Sequence, residues 1–172
     1  MPIVTERDGE VRGFTFMEGL LSAIAHDLEI RVERFRIEWD DAGSKVTATF
    51  DPKSLRVAHA LVRGAPSPSS LSHADLAKIA ENIQREVLGP SAPEVRFEST
   101  SIEGDGESRR ITGTLALHGR SRALTTTATR SGAHWATTVT LDQRDFGIKP
   151  YSAMLGTLKI KPEIRVELRL PA

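Results

Sequence analysis

Histidines beside carboxylates are the first residues in this chain that could do chemistry, because an imidazole oriented by an acid can act as a general base. His26 is followed directly by Asp27, and His118 and Asp145 lie in the second half. Adjacent residues on a strand point to opposite faces, and neither histidine has a nucleophile beside it in sequence. His118 shares parity with Thr112 and Thr114 and falls at a turn, away from a presumed interior. An enzymatic site would need two of His26, Asp27, His118 and Asp145 to converge in one pocket, so catalysis is not expected. His59, His73 and His134 are scattered without the spacing of a ligand pair on a helix, and neither a metal nor a cofactor is expected. A glycine-rich phosphate loop, a Gly-x-Ser-x-Gly elbow and a basic stripe interleaved with aromatics are all missing. Nucleotide binding, acyl transfer and nucleic-acid binding therefore lack support.

The elements that would position a site are mostly strands. Apolar and polar residues alternate with period two over much of the chain, the pattern of a half-buried strand. Leu28, Ile30 and Val32 keep one parity, and Phe35, Ile37 and Trp39 take the other across Glu33 and Arg34. A two-residue step of this kind predicts a β-bulge that bends a long strand while both halves face one interior. Asp40-Asp41-Ala42-Gly43 predicts a hairpin turn into Val46, Ala48 and Phe50. Residues 58–71 break the alternation, and Gly64-Ala-Pro66-Ser-Pro68-Ser-Ser70 is loop chemistry.

The period changes at Ser72. Leu76, Ile79, Ile83 and Val87 recur at helical spacing, Ser72 and Asp75 form a capping pair, and Gly89-Pro90 terminates the run, so a helix is predicted over about residues 72–88. A shorter helical turn is compatible with residues 17–25, where Leu20, Leu21 and Ile24 cluster. Alternation resumes at Val95 and continues through Ile111–Leu117, Leu124–Thr129, Trp135–Leu141 and a last strand from Leu158 to Leu170. With a strand over Val11–Phe16, the expectation is about eight antiparallel strands in one mainly β domain spanning residues 1–172. Alternation alone leaves a closed barrel and a sandwich both open.

Composition narrows the partners. The 172 residues hold 23 Lys and Arg against 23 Asp and Glu, so no net field favours nucleic acid or an anionic membrane surface. Cysteine is absent, which removes disulfides and thiolate sites. The N-terminus shows no signal-peptide pattern, and no window approaches the roughly 18 apolar residues of a transmembrane segment. As written the chain reads as cytoplasmic and soluble, and as periplasmic if a leader has been removed.

Two stretches carry a family resemblance. Gly113-Thr-Leu115-Ala-Leu117-His118-Gly119 and Arg144-Asp145-Phe146-Gly147-Ile148 resemble the G-x-L-T-L-H-G and R-x-D-F-G-I strands of the YceI-like family of bacterial polyisoprenoid-binding proteins. The run Ile83 to Leu88, followed by Pro93-Glu-Val95-Arg-Phe97-Glu-Ser99, is similar to the helix and P-x-I-x-F-x-S strand of that family. The order and spacing match over roughly residues 10–170. One segment departs: where members often read D-x-H-L-x-S-x-D-F-F-D, this chain has Ser72-His-Ala-Asp75-Leu76-Ala-Lys-Ile79 without the double phenylalanine.

The resemblance implies an eight-stranded antiparallel, lipocalin-like barrel with an apolar tunnel for a long isoprenoid or quinone-like chain. Residues of inward parity would line it: Leu28, Ile30, Val32 and Phe50 early in the chain, and Leu115, Leu117, Trp135, Val139, Ile160 and Ile164 later. Val46, Ala48 and Val166 share that parity. Phe146 and Tyr151 would border the mouth, with residues 150–156 as a flap; the structural alternative has Phe146 plugging one barrel end with Gly147 permitting a bend. A rival reading keeps the barrel without a ligand and uses the 58–88 loop-helix segment as a surface for a partner, including a second copy of the chain as a homodimer.

Overall fold

The computed structural model describes residues 2–18 and 26–172. The first half of the chain contributes strands β1 (Ile3–Thr5), β2 (Glu10–Thr15), β3 (Met17–Glu18), β4 (Asp27–Val32), β5 (Phe35–Trp39), β6 (Val46–Phe50), β7 (Leu55–Val62) and β8 (Ala65–Ser67). Helix α1 (His73–Asn82) follows. The second half contributes β9 (Val95–Asp105), β10 (Ser108–Leu117), β11 (Arg120–Ser131), β12 (His134–Asp142), β13 (Ser152–Ala153), β14 (Leu158–Ile160) and β15 (Glu163–Pro171).

Twelve strands form one strongly curled antiparallel sheet in the order β1-β5-β6-β9-β10-β11-β12-β15-β2-β4-β7-β8, and β13-β14-β3 form a small second sheet. Twelve segments stand where about eight were expected because breaks at residues 6–9, 33–34 and 51–54 divide the early part of the chain and the short β8 adds one more. The break at Glu33 and Arg34 stands where the bulge was predicted: β4 pairs with β2 and β7 before it, and β5 with β1 and β6 after it. The neighbouring connection from β6 to β7 turns at the same place. There the Glu33 N–H donates to the Ser54 carbonyl at 3.2 Å and the Asp51 N–H to the Arg34 carbonyl at 3.0 Å, so two strands bend together with their backbone groups satisfied. The parity argument survives the break, since Ile30, Val32, Ile37 and Trp39 all face one interior.

Two sequence expectations need correction. Part of the expected loop at 58–71 is strand, because β7 runs to Val62 and pairs with β4. Ala58, His59 and Ala60 blur the apolar-polar contrast that marks a strand, although Ala60 is fully buried. The last strand divides into β14 and β15, with Lys161 and Pro162 between them. Of the short helical turn considered for 17–25, Met17 and Glu18 form a strand, and the remainder lies outside the described residues.

The helix begins as its sequence predicts. Asp75 N–H donates to Ser72 Oγ at 3.1 Å, and Ser72 N–H donates to Asp75 Oδ2 at 3.0 Å, which closes a reciprocal capping box. That Ser72 backbone N–H holds the Asp75 carboxyl below its ordinary value. Past Asn82 the helix widens into a π turn over Ile83–Val87, closed by Leu88 N–H to the Ile83 carbonyl at 3.0 Å. The apolar stripe of α1 is used: Leu76, Ile79 and Ala80, with Ile83, pack on Leu28, Ile30 and Val57. Complete burial of one such aliphatic side chain is worth about 1.5–3 kcal/mol, so this docking holds the helix against the sheet.

The seam between β2 and β15 carries charge on its outer side. Arg12 Nη2 meets Glu167 Oε2 at 2.9 Å across it. Glu29, only 4% exposed, lies 3.5 Å from Arg12 Nη1 and 3.2 Å from Arg31 Nε. A carboxylate this buried needs such partners, because isolating it from water would cost several kcal/mol.

Candidate functional site

Alternation on β10, β11, β12 and β15 sends every second side chain inward. On β12 these are Trp135, Thr137, Val139 and Leu141; on β15 they are Ile164, Val166, Leu168 and Leu170. Together with Ile111, Leu124 and Ala128 they line one interior cavity of about 650 Å³. Val139, Leu141, Val166 and Leu168 point inward yet stay only half-buried. Inward apolar groups that keep accessible surface face space, whereas a packed core would cover them. The lining from Trp135 to Leu141 alone extends about 20 Å along β12 at strand rise. The wall beyond β15 is denser, since Val4, Val11, Phe35, Ile37 and Ala48 form a buried cluster against which Val166, Leu168 and Leu170 pack on one side.

The residues singled out from the sequence largely meet in this space. Ile30, Val32, Phe50, Leu115 and Leu117 line the cavity, as do Trp135, Val139, Tyr151, Ile160 and Ile164. Leu28 and Phe146 stand apart from it. Leu28 lies beneath α1, where helix side chains occupy the room that the cavity has elsewhere. Phe146 is 3% exposed and packs with Leu115 and Ile148. Of the segment expected as a flap, Ser152 and Ala153 pair with Lys159 and Leu158 in the small sheet, and Leu155 beyond them is fully exposed.

Polar bonds fix the end of the barrel around Phe146. A 3₁₀ turn over Gln143–Phe146 starts at Asp142, whose carboxylate accepts from the Arg144 backbone N–H at 2.9 Å and pairs with the Arg144 guanidinium at 2.7 Å. The guanidinium, helped by that N–H, holds the Asp142 carboxyl below its usual range. Gly147 ends the turn at φ +71, a conformation in which glycine avoids a Cβ penalty, and an added Cβ would come within 2.8 Å of Arg120. His118 Nδ1 lies 3.2 Å from the Phe146 carbonyl, and Gln143 Nε2 donates to the Lys161 carbonyl at 3.2 Å. The family-like stretch is thus a braced closure whose apolar residues Phe146 and Ile148 are buried.

The candidate catalytic groups are engaged separately. Asp27 Oδ1 accepts from the Met17 N–H at 2.8 Å, while His118 serves the Phe146 carbonyl. Among the described residues, no three histidine or acidic side chains gather as metal ligands. What the sequence reading missed are the lining residues outside clean alternation. Ile83, Val87 and Leu88 reach the cavity because the π turn, five residues wide, carries the helix stripe onward over the interior. Arg109, Thr126, Thr137 and Gln143 are polar members of the lining. Arg109 shares parity with Ile111 and Leu115, the signal that could have placed it inside.

The YceI-like domain model matches residues 10–172. A UPF0312 protein of Pseudomonas putida (strain W619) is 37% identical over 86 residues; the match spans 44% of this chain and 44% of that protein, less than half of its length. Among solved structures, BcnA of Burkholderia cenocepacia superposes with a TM-score of 0.65 at 16% identity, over 95% of this chain and 96% of its own. A YceI protein of Campylobacter jejuni gives a TM-score of 0.55 at 16% identity, over 79% of this chain and 77% of its own. At such identities the likeness shows the fold, a lipocalin-like β-barrel.

Proposed function

Since the chain belongs to the YceI-like family, we propose that it binds or carries a long-chain amphipathic lipid, isoprenoid or quinone-like, in its barrel interior and performs no catalysis. The observation that carries this reading is the elongated cavity with its apolar lining. Burial of each methylene there contributes about 0.8 kcal/mol, so a long tail needs a dry wall and few polar contacts. In this reading eleven of the twelve segments make eight strands, three of them bent: β1 continues into β2, β4 into β5 and β6 into β7, while the short β8 is appended beside β7. The pairings then run once around a single-domain barrel, from β1/β2 through β15 and back. Such a barrel has the size that either fills with side chains or holds one ligand.

The ligand-free alternative draws on the departure at residues 72–79, yet the apolar stripe of α1 is already spent on Leu28, Ile30 and Val57. Dimer formation and a cytoplasmic location belong to the same proposal and are read by sedimentation and by cell fractionation. The deciding experiment is mass spectrometry of organic extracts from protein purified from its native host. A stoichiometric lipid of long chain length is expected; repeated extracts without one, together with no uptake of long-chain probes by the emptied protein, would overturn the reading.

A further inference from the structure

The cavity differs chemically along its length. Arg109 is the one basic side chain among the described residues that line it. It stands on β10 opposite Gly104 of β9 and Ala128 of β11, at the end of the barrel where the β5–β6 and β9–β10 hairpins turn. Its Nη1 donates to the Gly104 carbonyl at 2.6 Å, which anchors the head group of a half-buried side chain. Arg109 takes part in no ion pair among the described residues, and one hydrogen bond leaves most of the five guanidinium donors uncommitted. Asp40 and Asp41 also line this end, and the Asp40 carboxylate is occupied by the Ser44 hydroxyl and the Ser44 and Lys45 backbone N–H groups. At the opposite end the polar lining includes Asp51, whose carboxylate meets Arg34 Nη1 at 3.1 Å, and Gln143, whose side chain donates to the Lys161 carbonyl.

We propose that Arg109 receives the oxyanion of an acidic lipid, a carboxylate or phosphate at the end of a long apolar chain, so that the head lies by Arg109 and the tail runs past Val139 toward Leu141 and Ile160. This rests on the cavity being a lipid site and narrows the ligand to chains with an acidic head. A guanidinium fork matches both oxyanions with paired hydrogen bonds, and charge-assisted bonds of this kind in a half-buried site outweigh those to a neutral ester. The chain's two tryptophans, Trp39 and Trp135, line the cavity at the Arg109 end, so they report which end of a ligand is near.

The test uses the emptied protein and five probes: an unsaturated fluorescent fatty acid, its methyl ester, an alkyl phosphate of similar length, and two palmitates, one brominated beside the carboxylate and one at the chain terminus. The acid is expected to bind about tenfold more tightly than its ester. Arg109→Met should abolish that preference, so that acid and ester bind alike, and Arg109→Lys should retain part of it. Bromine beside the carboxylate should quench tryptophan more than bromine at the terminus. The alkyl phosphate separates the two head groups: preference over the ester for either oxyanion supports the proposal and names its source. Equal binding of acid, phosphate and ester by the wild-type protein, or stronger quenching from the terminal bromine, would overturn it while leaving the lipid site standing. No uptake of any probe would instead count against the lipid reading itself. The wild-type comparisons decide the matter even if a variant fails to fold.

Discussion

The two ends of the barrel solve different problems with similar materials. Around Phe146, side chains and backbone are bonded to one another: His118 to the Phe146 carbonyl, Gln143 to Lys161, Asp142 to Arg144, with Phe146 and Ile148 buried beneath. At the other end Trp135 and Leu170 face the cavity half-buried, and among the described residues the Arg109 side chain has the Gly104 carbonyl as its one partner. The contrast teaches that burial and inward orientation are separate properties. An inward side chain supports stability where it meets neighbours and supports binding where it meets space.

The sharpest way to break that comparison is Phe146→Ala. Removing a buried phenyl should lower unfolding free energy by about 3–5 kcal/mol, measured by urea titration. A loss below about 1 kcal/mol would mean that the closure is not a packed plug. Gly147→Ala, at the same end, should cost about 2 kcal/mol, since a Cβ is strained at φ +71 and would also displace Arg120. Trp135→Ala at the far end should cost less than Phe146→Ala, about 1–2 kcal/mol, because much of the indole faces the cavity; its larger effect should be on lipid uptake followed by probe fluorescence. Equal losses for the two aromatics would erase the distinction between ends.

The smallest effects concern the helix that covers the interior. Ser72→Ala should cost about 1 kcal/mol through loss of the cap, read from thermal unfolding. The Asp75 carboxyl is lowered from 3.8 in the folded chain, so its contribution is fully present above that value and is lost as pH falls through the lower folded value. Asp75→Asn should therefore flatten the acid limb of the stability profile, and an unchanged limb would show that the capping box is not formed in solution.

Much of this was legible in the residues themselves. Ser72 and Asp75 announced the helix start, Gly89 its end, and the alternation on β12 and β15 placed most of the lining. Sequence could not reveal that Leu28, of the same parity as Ile30, lies under α1, because this depends on where a helix distant in sequence docks and on the register shift between Glu29 and Ile30. The β7 strand is hidden by alanines that carry little hydrophobic contrast, although Ala60 is fully buried. Parity is a geometric rule and applies to a guanidinium as it does to a leucine, so Arg109 turns inward with Ile111 and Leu115 although hydropathy would place it outside.

The β2–β15 pairing has a consequence for the order of assembly. Arg12 and Glu167 meet across that seam from positions 155 residues apart, whereas β9 through β12 join neighbours through tight hairpins. Closing so long a loop costs more chain entropy than forming a hairpin, and topologies rich in distant contacts fold slowly. The β9–β12 meander can form early and wait with its apolar face uncovered until the last strand arrives to meet β2. During that interval the same inward residues that make the cavity are a surface open to other chains, so the interval between synthesis and seam closure is when this protein is most exposed to aggregation.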